Sequence, residues 1–161
     1  MAAILLVPLR PILRVLPHGA AESGRVVSYR WIEHTSELDL QIEAASEAAV
    51  FEQALEALRE LVEEGRAGQS EGESVSRGIQ AAAGDRPALL AAWLDELVYL
   101  IETEDLVPDE VERLELAGER LTARARAHRG RPRHLVKGVT YHKLTFSPDG
   151  DEFSATVVLD V

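Results

Sequence analysis

The 161-residue sequence predicts an α+β fold: a single domain with a largely antiparallel β-sheet and two main α-helices. Three observations carry that prediction. Two stretches repeat their apolar residues at helical spacing, about six others read as β-strands, and several of the strand-like stretches are joined by short turns, as in hairpins. The length suits one domain whose core removes roughly 70% of the unfolded chain's surface from water. Hydrophobic residues make up 46% of the chain and charged residues 28%, which separates it from disordered, collagen-like and coiled-coil sequences.

Met1 to Leu16 is apolar and basic, but Pro8, Pro11 and Pro17 interrupt any helix there and break the apolar run that a signal peptide needs. Residues 1–26 are therefore expected to be a flexible N-terminal extension to a domain spanning 27–161. Leu38, Leu40 and Ile42 alternate with Asp39, Gln41 and Glu43, the pattern of a strand with one buried and one wet face. Ser46 is placed to cap a helix from about Glu47 to Glu64, in which Val50, Phe51, Ala54, Leu55, Leu58, Leu61 and Val62 form one stripe and Gly65 marks the end. Residues 65–73, rich in Gly, Ser and Glu, read as a mobile surface loop.

Val75 to Ala82 predicts the next strand. Asp85 caps a second helix with Pro87 in its first turn, and Leu89, Leu90, Trp93, Leu94, Leu97, Val98 and Ile101 give it a broad apolar stripe. Trp93 and Tyr99 of this helix are expected in the core. Strands follow at Val111–Leu116, Leu121–His128, Leu135–Phe146 and Phe153–Val161, with turns at Gly118 and at Ser147-Pro148-Asp149-Gly150-Asp151. His142 shares a strand face with Val136, Leu144 and Phe146 and is expected to be packed, while Lys137 and Tyr141 point the other way, toward a partner.

Several function classes fall away on composition. The chain has no cysteine, which removes disulfides, thiolate catalysis, Fe–S clusters and Cys-containing zinc sites. With 17 Lys+Arg against 28 Asp+Glu the net charge is −11, a field that repels a polyanion, so no direct stable nucleic-acid binding is expected. No apolar run approaches the roughly 18–20 residues of a membrane helix, and the expected location is the cytoplasm. Phosphate-cradling glycine loops, an HExxH pair and a GxSxG elbow are all missing from the sequence.

Metal chemistry in such a chain must rest on oxygen ligands, which suit Ca²⁺, Mg²⁺ or Mn²⁺. On the last strand Asp160 lies on the less apolar face with Ser154, Thr156 and Val158, beside the carboxylate of Val161. Glu37 begins the Leu38-Leu40-Ile42 strand on its polar side. If the two strands are antiparallel neighbours, Glu37 meets Asp160; if parallel, about 20 Å separates them. From spacing alone each carboxylate reads as a solvated strand-face acid. His34 likewise reads first as a turn residue bonded to backbone, and second as a ligand or base.

Four segments in order, Tyr29-Arg30-Trp31-Ile32-Glu33-His34-Thr35-Ser36-Glu37, Trp93 to Leu100, Val136-Lys137-Gly138-Val139-Thr140-Tyr141-His142 and Val157-Val158-Leu159-Asp160-Val161, resemble the archease family over residues 27–161. The resemblance implies a non-enzymatic cofactor protein of the RtcB-type RNA ligase, which joins RNA ends in tRNA splicing and RNA repair. Such proteins promote formation of the covalent ligase–guanylate and permit multiple turnover. The resemblance also implies a divalent cation, typically Ca²⁺, carried here by Glu37, Asp160 and Val161. In this chain Glu37 stands where the family usually has Asp in a His-Thr-Ala-Asp motif, which keeps a hard oxygen but lengthens its tether. Asp39, where the family often has Gly, offers an added or substitute carboxylate. Two other readings stand beside this one: a stand-alone metal-dependent phosphoesterase, and a pure interaction module with a vestigial metal site.

Overall fold

In the computed structural model, which describes residues 28–63, 72–132 and 136–161, the elements run β1 (Ser28–Glu33), β2 (Glu37–Ala44), α1 (Glu47–Glu63), β3 (Ser74–Ala82), α2 (Arg86–Glu104), β4 (Leu106–Ala117), β5 (Arg120–Arg129), β6 (Gly138–Asp149) and β7 (Glu152–Asp160). The expected N-terminal extension, most of the 65–73 loop and Leu135 lie outside the described residues. All strand pairs are antiparallel, and they divide into two sheets, ordered β1-β2-β7-β6 and β3-β5-β4. The α+β architecture with two helices is thus as the periodicities predict, with the strands split between two sheets.

The helices start where the capping residues put them. Ser46 Oγ accepts from the Ala49 N–H at 3.1 Å, and Asp85 Oδ1 accepts from the Ala88 N–H at 2.8 Å. Helix α2 ends at Asp105, which takes a left-handed conformation with φ 52° and returns its N–H to Leu100 O. Both helices touch both sheets; α1 buries one stripe, whereas α2 buries Leu89, Leu90, Ala91, Trp93, Leu94, Leu97, Val98, Leu100 and Ile101, a larger part of its circumference. Trp93 Nε1 donates to Phe51 O at 3.0 Å inside the core, so the helices are held by a hydrogen bond as well as by apolar contact. Tyr29 on β1 donates its hydroxyl to Glu60 of α1; burial first, and then that acid, push the phenol well above its ordinary value.

Several local expectations are corrected. Tyr99 is 55% exposed rather than in the core, because it falls on the one side of α2 that neither sheet covers. His142 is exposed too. The β6–β7 register shifts between Thr140 and Thr145, with Lys143 at φ 59°, and this bulge breaks the alternation that would have packed the imidazole. β1 is an additional strand, and β4 begins at Leu106 rather than Val111. The turn expected over Ser147 to Asp151 contracts to Gly150-Asp151, with positive φ at Gly150 only, as in a type II′ hairpin. Pro148 is tolerated inside β6 because that strand lies at a sheet edge.

Candidate functional site

The site forms at one end of the first sheet, where its two central strands meet. β2 and β7 pair antiparallel with Glu37 directly opposite Asp160 and Leu38 opposite Leu159. On β7's other side Gly138 is opposite Asp160. A Cβ added to Gly138 would meet nothing within 4 Å, so the space beside Asp160 is open. Glu37 and Asp160 are both partly exposed.

Main-chain bonds gather the neighbouring segments. The His34 N–H donates to Glu37 O at 2.9 Å, closing the β1–β2 turn. Val161 N–H donates to Ser36 O at 3.2 Å, and the Lys137 N–H donates to Asp160 O at 2.8 Å. The Lys137 ammonium then reaches Val161 O at 3.2 Å. Glu37 is therefore brought beside the distant C-terminal pair Asp160-Val161, with Lys137 as the cation next to them.

One row further along the same face, Asp39 stands opposite Val158. Its residue is only 8% exposed, and His34 Nε2 lies 3.1 Å from Oδ2. The other oxygen, Oδ1, is buried and has no hydrogen-bond partner. Asp39 was legible as a carboxylate on the wet face of its strand; its burial was not, since alternation assigns that face to water. His34 combines a backbone turn contact with a side-chain partner.

Sequence reasoning missed a second acid. Burial pushes the Asp95 carboxyl of α2 above its ordinary value, and hydrogen bonds from the Val139 N–H and the Tyr141 hydroxyl pull it part of the way back. Tyr141 is raised in return, by desolvation and then by Asp95. Its ring remains 60% exposed. Asp95 thus fastens the segment after Lys137 to α2. Lys137 also lines an open cleft, together with Ile101, Glu102, Asp105, Arg131 and Pro132.

Among the described residues no group of three or more His, Asp or Glu is gathered closely enough to hold a metal ion as the side chains stand. The donor set nevertheless fits a hard cation. It consists of oxygens, two of its acids face each other across a strand pair, and a third has a buried oxygen without a partner.

The family model described as "Archease protein family (MTH1598/TM1083)" matches residues 29–161. The chain belongs to the archease family. It is 28% identical to the protein archease of Methanosarcina barkeri (strain Fusaro) over 148 residues, covering 86% of this chain and 99% of that protein. It is 30% identical to the protein archease of Methanosarcina acetivorans over 142 residues, covering 83% and 95% of the two chains. The fold is shared with the solution structure of Methanobacterium thermoautotrophicum protein 1598, at TM-score 0.62 and 23% identity, over 83% of this chain and 98% of that one. It is shared also with a Thermotoga maritima crystal structure described as an archease and possible chaperone, at TM-score 0.57 and 22% identity, over 81% and 94%. The archease match takes in all the site residues above, from His34 to Val161. No helix among the archease's described residues is long and apolar enough to cross a membrane.

Proposed function

We propose that this archease is a non-catalytic activator of an RtcB-type RNA ligase. In this reading it acts in the cytoplasm during tRNA splicing or RNA repair, promoting guanylylation of the ligase and its multiple turnover. The observation that supports the reading best is the direct pairing of Glu37 with Asp160. Like charges directly opposite on an antiparallel pair destabilise the sheet, so a site that keeps them there favours a cation between them. Glu37, Asp160 and the Val161 oxygen are the proposed ligands, and Ca²⁺ the proposed ion, with Mg²⁺ or Mn²⁺ as substitutes of the same hard character. When bound, the ion supplies a positive centre whose remaining positions water or a partner's oxygen can complete.

The chain's own residues do the positioning. Ser36 O and the Lys137 ammonium hold Val161 beside the acids, and Lys137 N–H fixes the Asp160 main chain. The acidic surface, with a net charge of −11, complements the basic surface that a ligase presents to RNA and needs no stable RNA contact of its own.

The test is a guanylylation assay with purified RtcB-type ligase and GTP, with and without this protein. Faster accumulation of ligase–guanylate is expected, with the stimulation abolished by Asp160→Ala while the circular dichroism spectrum is retained. Full stimulation by Asp160→Ala would remove the site. Hydrolysis of a phosphodiester by the protein alone with Mn²⁺ would replace the reading with a phosphoesterase.

A further inference from the structure

We infer that Asp39 is a metal ligand in its own right and that His34 is the positioning residue that aims it. The inference rests on the reading of this sheet end as a cation site, and it goes beyond Glu37, Asp160 and Val161. Its starting point is the carboxylate of Asp39, on a residue 8% exposed, with Oδ1 buried and unpartnered. Burying a carboxylate oxygen without a donor is costly to a fold. The chain accepts that cost on the same strand face, two residues from Glu37.

The backbone register permits one shared ion once the side chains turn toward it, although as they stand no three of them gather. Asp39 is the diagonal cross-strand neighbour of Asp160, since Glu37 is opposite Asp160 and Asp39 is opposite Val158. Diagonal neighbours have Cα atoms roughly 7–8 Å apart. Two short acidic side chains and an ion bound at about 2.3–2.6 Å from each oxygen span that distance. The longer Glu37 side chain has an extra rotatable bond to immobilise, whereas Asp39 is already held by its burial and by His34.

His34 has the relation to Asp39 that metal-binding carboxylates commonly have to an outer donor. Its Nε2 lies 3.1 Å from Oδ2, and because a carboxylate only accepts, the ring N–H is the donor. That bond occupies one oxygen and fixes the plane of the carboxylate, which leaves Oδ1 for the cation. No other donor among the described residues competes for it.

Calorimetric titration of the full chain with Ca²⁺, and separately with Mn²⁺, tests the inference. Asp39→Asn is expected to weaken binding by at least about tenfold, His34→Ala by about tenfold, and His34→Gln, which keeps a side-chain N–H, by distinctly less. The metal-free Asp39→Asn protein should melt no lower than the parent, since Asn keeps an oxygen acceptor for His34 and replaces the unpartnered carboxylate oxygen, but its melting temperature should no longer rise with Ca²⁺. Should Asp39→Asn fail to fold, the Asp39 carboxyl ¹³C shift in the unmutated protein provides the reading, and Ca²⁺ should move it. Parent-like affinity in Asp39→Asn, or a static Asp39 shift while the protein binds Ca²⁺, overturns the inference and leaves the cation site standing. If the parent binds neither ion, the cation site falls and takes the inference with it.

Discussion

Trp93 carries the largest single side chain in the core, fully buried, with its one polar atom satisfied by Phe51 O at 3.0 Å. Trp93→Phe removes that hydrogen bond and leaves a gap where the indole's second ring had been, so a loss of about 1–3 kcal/mol is expected in urea denaturation. No measurable loss would mean that the bond contributes nothing to holding α1 on α2. The burial of Trp93 was legible because helical spacing places it inside the α2 stripe. Tyr99 followed the same spacing but faces outward, and His142 lost its predicted packing to a bulge that period-two reasoning cannot foresee. His128 is the reverse case. Strand alternation puts it beside exposed arginines, yet it is 2% exposed, with Nδ1 2.6 Å from Asp109 Oδ1 and Nε2 3.0 Å from Glu63 Oε1. Asp109 of β4 satisfies Nδ1 by a hydrogen bond, while Nε2 has the Glu63 carboxylate of α1 close by but no hydrogen bond to it, and neither acid is near His128 in sequence.

At the scale of elements, the contact of α2 with β6 holds the segment that carries Lys137. Asp95 is the polar link in that contact, and burial raises its carboxyl above the ordinary 3.8. The folded state therefore binds this proton more tightly than the unfolded state. The stabilisation from that proton is fully present below about pH 3.8 and is lost as the pH rises through the raised folded value. Asp95→Asn keeps an acceptor for the Val139 N–H and the Tyr141 hydroxyl while removing the desolvated charge. Relative to the parent, it should gain stability between pH 3 and pH 7 in denaturant titrations; a flat difference would show that the carboxyl is not perturbed by folding. The two helices and most strands were legible because each has its own periodicity and caps. β1 was not, since Ser28–Glu33 mixes Tyr, Arg, Trp and Glu without clean alternation and gains its strand character from pairing with β2. The meeting of Glu37 with Asp160 was legible only conditionally. The residues were evident, but strand direction and adjacency are tertiary facts, and the antiparallel β2–β7 register decides them.

For the whole molecule the governing quantity is a net charge of −11 on 161 residues. Many of its cations are already committed locally: Arg77 to Glu104, Arg86 to Glu47, Arg126 to Glu110 and Arg113 to Glu115. Such partly exposed pairs add little to stability one by one, but they leave the uncompensated charge of the chain negative. That charge acts in opposite directions on the free protein and on the proposed complex. Within the free chain it is self-repulsion, which salt screens over a Debye length of about 10 Å at 0.1 M and about 3 Å at 1 M. Toward a basic ligase surface it is attraction, which the same salt removes, chiefly by slowing association. Raising NaCl from 50 to 500 mM should therefore raise the melting temperature of the free protein and weaken its capture by immobilised RtcB-type ligase. The loss should appear in the association rate more than in the dissociation rate. Capture indifferent to salt would remove electrostatic docking as the basis of recognition, even if the melting temperature rises as expected. Melting that falls with salt would instead show that favourable ion pairs outweigh the self-repulsion inferred from the excess of acidic side chains.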